Sequence, residues 1–298
     1  MNTAISIGNF DAVHLGHLAL VEHARKAVGE SGWVEMWSFD PPPVSILDPS
    51  IQINHITTFL QRKALLINAG ADDVIKITPT EELLGLEPQK YIENVMLDVS
   101  PKYFVEGVGF RFGSERKGDL NMLKSLGVKH QFECIEVQSV EVALQDSTIV
   151  KASSSYIRQL LLEGRVADAS RMLGRRYELT GTVVKGDFRG RELGFPTANL
   201  GSVQTMLPAD GIYAGSSIVD GVAYAAAISV GTKPTFGTHE KVCEVHLVGF
   251  NGEIGVYDWS LTVSFSHWIR EQTKFDTIEA LTIAIQQDIE QSKKHFEK

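Results

Sequence analysis

The feature that most constrains this chain is a change of rhythm near Gly174. Before it, short apolar runs alternate with stretches of helical spacing. Ala4–Gly8, Trp33–Asp40, Asp73–Ile77, Lys102–Glu106 and Gln131–Val137 read as strands, and Gly16–Val28, Thr57–Ala69, Pro88–Leu97 and Leu120–Leu126 as helices. Pro41-Pro42-Pro43 stops the second strand because proline cannot donate to a ladder, whereas Pro88 suits a first helical turn. This βα alternation predicts a parallel sheet covered by helices, with ligands at the carboxyl ends of its strands. Ser153–Glu163 and Val166–Leu173 add two helices joined by Gly164.

After Gly174 the β-rich runs crowd together: Tyr177–Lys185, Ile212–Val219, Ala223–Val230, Val242–Phe250 and Ser260–Phe265, with turns at Asp220-Gly221 and Asn251-Gly252. Closely spaced antiparallel strands predict a small barrel. Thr277–Phe296 carries Ile278, Leu281, Ile285 and Ile289 on one stripe and predicts a closing helix on the barrel's side or end. Two such layer architectures need two cores, so the expected domains are 1–174 and 175–298. The length of 298 residues agrees, exceeding the roughly 100–200 of one domain.

Composition narrows the function classes. With 43% apolar and 22% charged residues the chain is ordinary globular material. Its net charge of −9 argues against broad binding of nucleic-acid backbones, so any phosphate site must be local. The two cysteines, Cys134 and Cys243, are far apart and form no CxxC, which excludes a disulfide scaffold and fits a reducing cytoplasm. No apolar run reaches the roughly 18–20 residues of a membrane span, and Met1-Asn2-Thr3 leads into a strand rather than a basic signal segment.

Two stretches carry chemistry. In the first, the strand ending at Gly8 runs through Asn9 and Phe10 into His14-Leu15-Gly16-His17, where a helix begins. Free amides at a helix start bind phosphate oxygens, and the glycines Gly8 and Gly16 allow close backbone approach. His14 and His17, one helical turn apart, would point the same way and offer donors to charge developing on a transferring nucleotidyl phosphate. A zinc site is disfavoured because no third ligand stands nearby; a capped helix with two surface histidines is the plain alternative. Further on, Ser154 and Ser155 precede an apolar helix as natural caps, and Arg158 makes a forked phosphate partner.

The second stretch runs from Gly181 to Leu200. It reads as a strand, a basic glycine-rich loop (Gly186, Arg189, Gly190) and a rigid Pro196-Thr197 turn. Successive glycines let amides curl around an anion. Thr197 and Asn199, two apart, share a face if extended, and both offer neutral oxygens of the kind Mg²⁺ takes beside ATP phosphates. A barrel turn with a capped strand is the alternative. Glu244 alternates with Val245 and Leu247 along a strand, so it can point away from them into a cleft; a partnered surface glutamate is the alternative.

Set side by side, these segments resemble the bifunctional bacterial riboflavin kinase/FAD synthetases. Residues 10–17 resemble that family's FDGVHLGH, within the HxGH signature of nucleotidyltransferases. Residues 38–43 resemble TFDPHP, 107–113 the GxxFxFG loop, and 153–158 the SSTxIR helix start. GRxLGFPTAN stands ungapped at 190–199, residues 231–236 resemble GTRPTF, 244–247 match EVHL, and 270–275 resemble RDExKF. Departures are Ala12 for a glycine, Pro42 for a histidine, Gly109 for an asparagine or aspartate, Gln272 for a glutamate, and a blurred LYG at Ile254-Gly255-Val256-Tyr257.

The resemblance implies a Rossmann-like nucleotidyltransferase domain followed by a flavokinase β-barrel with a C-terminal helix. It implies ATP and Mg²⁺ at Thr197 and Asn199 under the Gly186–Gly190 loop, Glu244 as general base, and Phe110, Phe112 and Arg270 on the flavin side. The implied reactions are phosphorylation of riboflavin to FMN and adenylylation of FMN to FAD in the cytoplasm, without nucleic acid or membrane. A kinase with a divergent first domain is the nearest alternative, and a non-catalytic flavin-sensing regulator a further one.

Overall fold

The structure, a computed structural model, describes residues 2–186, 189–235, 238–252 and 256–296. By contacts the chain forms two compact units: residues to Val142 with Val150–Ser154, and Ala143–Ile149 with everything from Ser155 on.

The first unit is a five-stranded parallel sheet. Its strands are β1 (Thr3–Gly8), β2 (Trp33–Phe39), β3 (Asp73–Ile77), β4 (Tyr103–Gly107) and β5 (Glu133–Val137), in the order β3-β2-β1-β4-β5. Between them run α1 (Leu15–Val28), α2 (Val44–Leu47), α3 (Phe59–Asn68), α4 (Glu81–Leu84), α5 (Pro88–Val99) and α6 (Leu120–His130). Leu20, Val21, Ala24 and Val28 of α1 and Leu66 of α3 bury one sheet face with Ala4, Val34 and Val105. Tyr91, Ile92 and Val95 of α5 and Leu123 and Leu126 of α6 bury the other with Ile5, Ile7 and Phe104. Two covered faces explain why these strands read as continuous apolar runs. Local signals set the helix starts. Thr58 and Gln61 form a reciprocal capping box at α3, and Asp119 accepts from Met122 N–H at α6.

A short ribbon that the sequence pattern does not announce, β6 (Glu141–Ala143) with β7 (Ile149–Lys151), precedes α7 (Ser154–Leu162) and α8 (Val166–Leu173). From Ser155 on, these helices group with the second unit rather than with 1–174. The cause is the apolar stripe Val166, Ala169, Met172 and Leu173, fully buried on α8, which packs against strands of the barrel.

The second unit is a closed six-stranded barrel. Its strands are β8 (Tyr177–Val184), β9 (Ala198–Gly201), β10 (Gly211–Val219), β11 (Val222–Thr235), β12 (Thr238–Leu247) and β13 (Ser260–Arg270), and they close in the order β10-β11-β12-β9-β8-β13. Alternate residues fill it: Leu179 and Val183, Leu200, Cys243 and Val245, and Leu261, Val263 and Phe265. Between β8 and β9 sits a helical turn, α9 (Arg189–Glu192), where the glycine pattern predicts an open loop. α10 (Ile278–Phe296) lies on the barrel's side against β10, β11 and β13. Its buried stripe differs from the expected one: Ile278 is exposed, while Asp288, Ile289 and Ser292 face inward. Asp288 tolerates burial because Arg270 grips it in a fork, Nε to Oδ1 at 2.9 Å and Nη2 to Oδ2 at 2.7 Å.

Candidate active sites

In the first unit β1 ends at Gly8, and the chain crosses to α1 through a loop in which Phe10, Ala12 and Val13 all take positive φ (48°, 81° and 45°). Non-glycine residues hold such angles only when the surroundings enforce them. Asp11 enforces them here. Its buried carboxylate accepts from the N–H groups of Ala12, Ile56 and Thr57 and from the Thr57 hydroxyl, at 2.9–3.1 Å through Oδ1. Ser154 Oγ donates to the Asp11 carbonyl at 2.6 Å, so that serine braces the same loop.

The loop delivers His14 as the N-cap of α1, one residue earlier than the sequence pattern indicates. Gly16 N–H donates to His14 Nδ1 at 3.1 Å, which leaves Nε2 as the proton-bearing nitrogen of the neutral ring. A Cβ on Gly16 would sit 3.0 Å from that ring, so this glycine makes the room the cap needs. His14 and His17 stack at 3.6 Å between centroids, and Phe10 meets His17 edge-on at 5.3 Å. Asn9 is exposed beside them.

Behind the loop stands Arg62 of α3, 1% exposed. It donates to the carbonyls of Asn9 (2.8 Å) and Phe39 (2.9 Å), to Ser38 Oγ and to Asp40, tying together the carboxyl ends of β1 and β2. Burial works against the Asp40 charge, but hydrogen bonds and charge from Lys76 and Arg62 hold its carboxyl below the ordinary range. Neither Asp11 nor Arg62 stands out in the sequence as a site residue. A polar helix position and a motif aspartate look solvent-facing until the long-range partners are known.

Phe110 and Phe112 stack at 5.5 Å, but Phe112 is a core residue packed on Tyr91, so of the two only Phe110 keeps a partly open ring. Gly109 is exposed, with nothing near the place a Cβ would take. Ser155 and Arg158 stand three apart on α7, the first exposed and the second half-buried.

In the second unit a cavity of about 480 Å³ opens beside β9 and β12. Its walls include Gly186, Arg191, Pro196, Thr197, Asn199 and His246 together with the rings of Phe250, Tyr257 and Trp259. The two glycines of the loop each face one candidate oxygen ligand. A Cβ on Gly186 would fall 2.1 Å from Asn199 Nδ2, and one on Gly190 would fall 2.5 Å from the Phe195 carbonyl and 3.4 Å from Thr197 Oγ1. The side chain of Arg189, with Asp187, Phe188, Phe236, Ile254 and Gly255, lies outside the described residues.

Register sets the rest. Leu200 lies opposite Cys243 with both buried, so Asn199 and Glu244, also directly opposite, share the outer face. Such cross-strand neighbours have Cβ atoms about 5 Å apart. On its other side Glu244 faces Ser229 of β11, whose Oγ accepts from Gln272 Nε2 at 3.1 Å. His246, two residues along the same face, donates from Nδ1 to the Pro196 carbonyl at 2.9 Å, because a carbonyl can only accept. This bond ties the Pro-Thr turn to the strand that carries Glu244. Arg191, His246, Tyr257 and Trp259 are lining residues that sequence reasoning does not select. Arg270 is committed elsewhere: its fork holds Asp288 and its Nη1 donates to the Glu271 carbonyl, so it anchors α10 instead of lining the cavity.

Thr197 and Asn199 both line the cavity and carry hard, neutral oxygens, and Glu244, which is not among the lining residues, stands opposite Asn199 in the ladder. That donor set fits Mg²⁺ carried on a triphosphate, which needs only one or two protein oxygens besides phosphate and water. Among the described residues no helix is long and apolar enough to cross a membrane.

Comparison with known proteins agrees with this division. The FAD synthetase family model matches residues 1–153 and the riboflavin kinase model residues 173–296. Bifunctional riboflavin kinase/FMN adenylyltransferases of Buchnera aphidicola subsp. Schizaphis graminum and of Bacillus subtilis are 33% and 31% identical, each over 99% of this chain and 94% and 92% of theirs. That of Escherichia coli K12 is 28% identical over 95% of this chain and 90% of its own. The crystal structure of a macrolide-efflux protein from Streptococcus pneumoniae superposes with a TM-score of 0.89 at 30% identity, over 98% of this chain and 94% of that one. The likeness therefore spans both units at once, and the chain belongs to the bifunctional riboflavin kinase/FMN adenylyltransferase family.

Proposed function

We propose that the barrel transfers the γ-phosphoryl of ATP to the ribityl 5′-hydroxyl of riboflavin, and that the N-terminal unit transfers AMP from a second ATP to the resulting FMN, releasing pyrophosphate. The observation that carries the reading is the pairing of Glu244 with Asn199 on the outer face of β12 and β9, with Thr197 in the adjoining cavity.

In the kinase half, Glu244 accepts the hydroxyl proton as the oxygen attacks the γ-phosphorus. A carboxylate that the fold already orients removes the cost of finding that geometry. Thr197 and Asn199 would hold a Mg²⁺ that would neutralise charge on the triphosphate, under a loop whose Gly186 and Gly190 keep side chains out of the way. The Arg189 side chain is assigned to the phosphates from the motif alone, and Arg191 from its place on the cavity wall. Phe250, Tyr257 and Trp259 supply the flat apolar surface that an isoalloxazine ring requires.

In the adenylyltransferase half, Nε2–H of His14 donates to the α-phosphate as charge builds on it, with His17 stacked behind; the Gly16 and His17 amides are taken up by His14 itself, so the imidazole stands in for the helix start. Ser154, Ser155 and Arg158 are assigned to the triphosphate, and Phe110 to the flavin. Neither step needs a covalent enzyme intermediate. The cytoplasm is the proposed place of work, which the use of ATP and free flavins supports.

Incubation with riboflavin, ATP and Mg²⁺, followed by chromatography, tests the scheme: both FMN and FAD are expected. FMN without FAD, repeated when FMN and ATP are supplied, selects the kinase-only alternative. Neither product rejects the proposal.

A further inference from the structure

One buried acid of the N-terminal unit has no part in the scheme above. Glu106, the residue before the last of β4, is 2% exposed, and its Oε1 accepts the Ile7 N–H at 2.7 Å. That bond stands where a ladder bond would be. β1 and β4 pair only at Ala4↔Tyr103 and Ile5↔Phe104, whereas β1 stays with β2 as far as Gly8↔Ser38, and β4 with β5 as far as Gly107↔Val137. The sheet therefore divides between β1 and β4 at their carboxyl ends, with the Glu106 carboxyl in the gap. This is the point where the strand order reverses, since the chain builds outward from β1 through β2 to β3 and then returns to place β4 and β5 on the other side. Open α/β sheets bind their ligands at such a point. β1 leaves the gap straight into the loop that delivers His14.

We propose that Glu106 is a positioning residue for adenylyl transfer: its side chain replaces main-chain pairing, holds the ends of β1 and β4 apart, and so aims the loop that carries His14 and His17. The inference rests on reading this unit as the adenylyltransferase.

The surroundings specify which form of the acid does this. The groups that interact with it are Tyr91 of α5 and Cys134 of β5, both in the core layer of Phe104, and the Ser6 hydroxyl of β1. Its register partner on β5 is Glu136, whose carboxylate is occupied by Lys124 of α6. No cation is paired with Glu106 among the described residues. A carboxylate left without a counter-charge in such a place is costly, so the neutral acid is the resident form. Burial raises its pKa well above the ordinary range, against a smaller opposite pull from the Ile7 hydrogen bond and the nearby Ser6 hydroxyl. Burial likewise pushes the Cys134 thiol of β5 up, to about 11.

The sign of the linkage follows. The folded chain holds this proton more tightly than the unfolded chain. The resulting stability is complete below the ordinary glutamate value of 4.5 and is lost as pH rises towards the raised one. Glutamine copies the shape and the acceptor oxygen of the neutral acid and cannot ionise.

The test compares Glu106→Gln and Glu106→Leu in the full chain. FAD formation from FMN and ATP and thermal unfolding are followed between about pH 6 and pH 9.5, and riboflavin phosphorylation serves as the control for the barrel. Glu106→Gln is expected to keep FAD formation within about twofold at pH 7 and to lack the wild type's alkaline decline in both activity and melting temperature. Glu106→Leu, which orphans the Ile7 N–H, is expected to lose FAD formation by roughly tenfold or more with phosphorylation unchanged. Full FAD formation by Glu106→Leu overturns the positioning role. A tenfold loss in Glu106→Gln, or a pH dependence parallel to the wild type's, overturns the neutral acid, and the glutamine comparison decides that point even where the leucine variant does not fold. A wild type that forms no FAD overturns instead the functional reading beneath the inference, and the melting comparison still decides the charge state.

Discussion

Truncating Asp11 to alanine should cost more than its position in an apparent surface loop suggests. Its Oδ1 gathers bonds from Ala12 N–H (3.0 Å), Ile56 N–H (3.1 Å), Thr57 N–H (2.9 Å) and the Thr57 hydroxyl (3.0 Å), all within buried structure. Ala12 N–H keeps a second acceptor in Thr57 Oγ1, but the Ile56 and Thr57 amides lose theirs. At about 1–3 kcal/mol for each orphaned buried donor, Asp11→Ala should lose about 2–6 kcal/mol. That is a large share of the ~5–15 kcal/mol that holds a domain together. Asp11→Asn keeps the Oδ1 set and gives up mainly the charge, so about 1–2 kcal/mol is expected.

A second effect follows from the first. Phe10, Ala12 and Val13 hold left-handed angles that cost about 1–2 kcal/mol per residue, and once the pin is gone the loop relaxes and carries His14 away from the start of α1. Urea unfolding of both variants, with FAD and FMN formation measured separately, tests the argument. FAD formation should fall at least tenfold in Asp11→Ala while riboflavin phosphorylation holds. A loss under about 1 kcal/mol together with intact FAD formation would refute it.

The remaining predictions concern the barrel. Glu244→Gln should lower FMN formation by roughly 10²–10⁴-fold without changing the melting temperature or FAD formation from supplied FMN; a loss below tenfold removes the proposed base. His246→Ala, which frees the Pro196 carbonyl, should raise the KM for MgATP by about three- to tenfold, and His246→Asn, with Nδ2 in place of Nδ1, should recover most of it. Equal kinetics in both variants would show that the turn holds itself. Asp288→Ala should weaken the docking of α10 by about 1–2 kcal/mol in urea unfolding, because Arg270 stays partly solvated when its partner is gone.

What the residue pattern makes legible is what depends on neighbours in the chain. Hydrophobic period separates the parallel sheet from the barrel, and Pro88 marks a helix start that the structure keeps. The Pro-Thr turn and the outward-facing Glu244 also follow from local alternation. Features set by distant partners stay hidden. Arg62 sits among polar residues of a helix, yet the ends of β1 and β2 bury it completely. Asp288 interrupts an apolar stripe, and only Arg270, on another element, accounts for that. Arg270 itself, assigned to the flavin side by its motif, is committed to that helix. The four residues of β9 are too few to show a period of two, so they are recognisable as a strand only through their register with β8 and β12.

The brevity of β9 has a cost for the lineage. It is the stave that completes the hoop between β8 and β12, and the same tetrapeptide presents Asn199 to the cavity. A substitution there cannot spare the architecture and strike only the chemistry. Drift at these positions is penalised twice, once through closure and once through turnover, and a chain that abandoned phosphorylation would still be held to much of this segment by the need to stay shut.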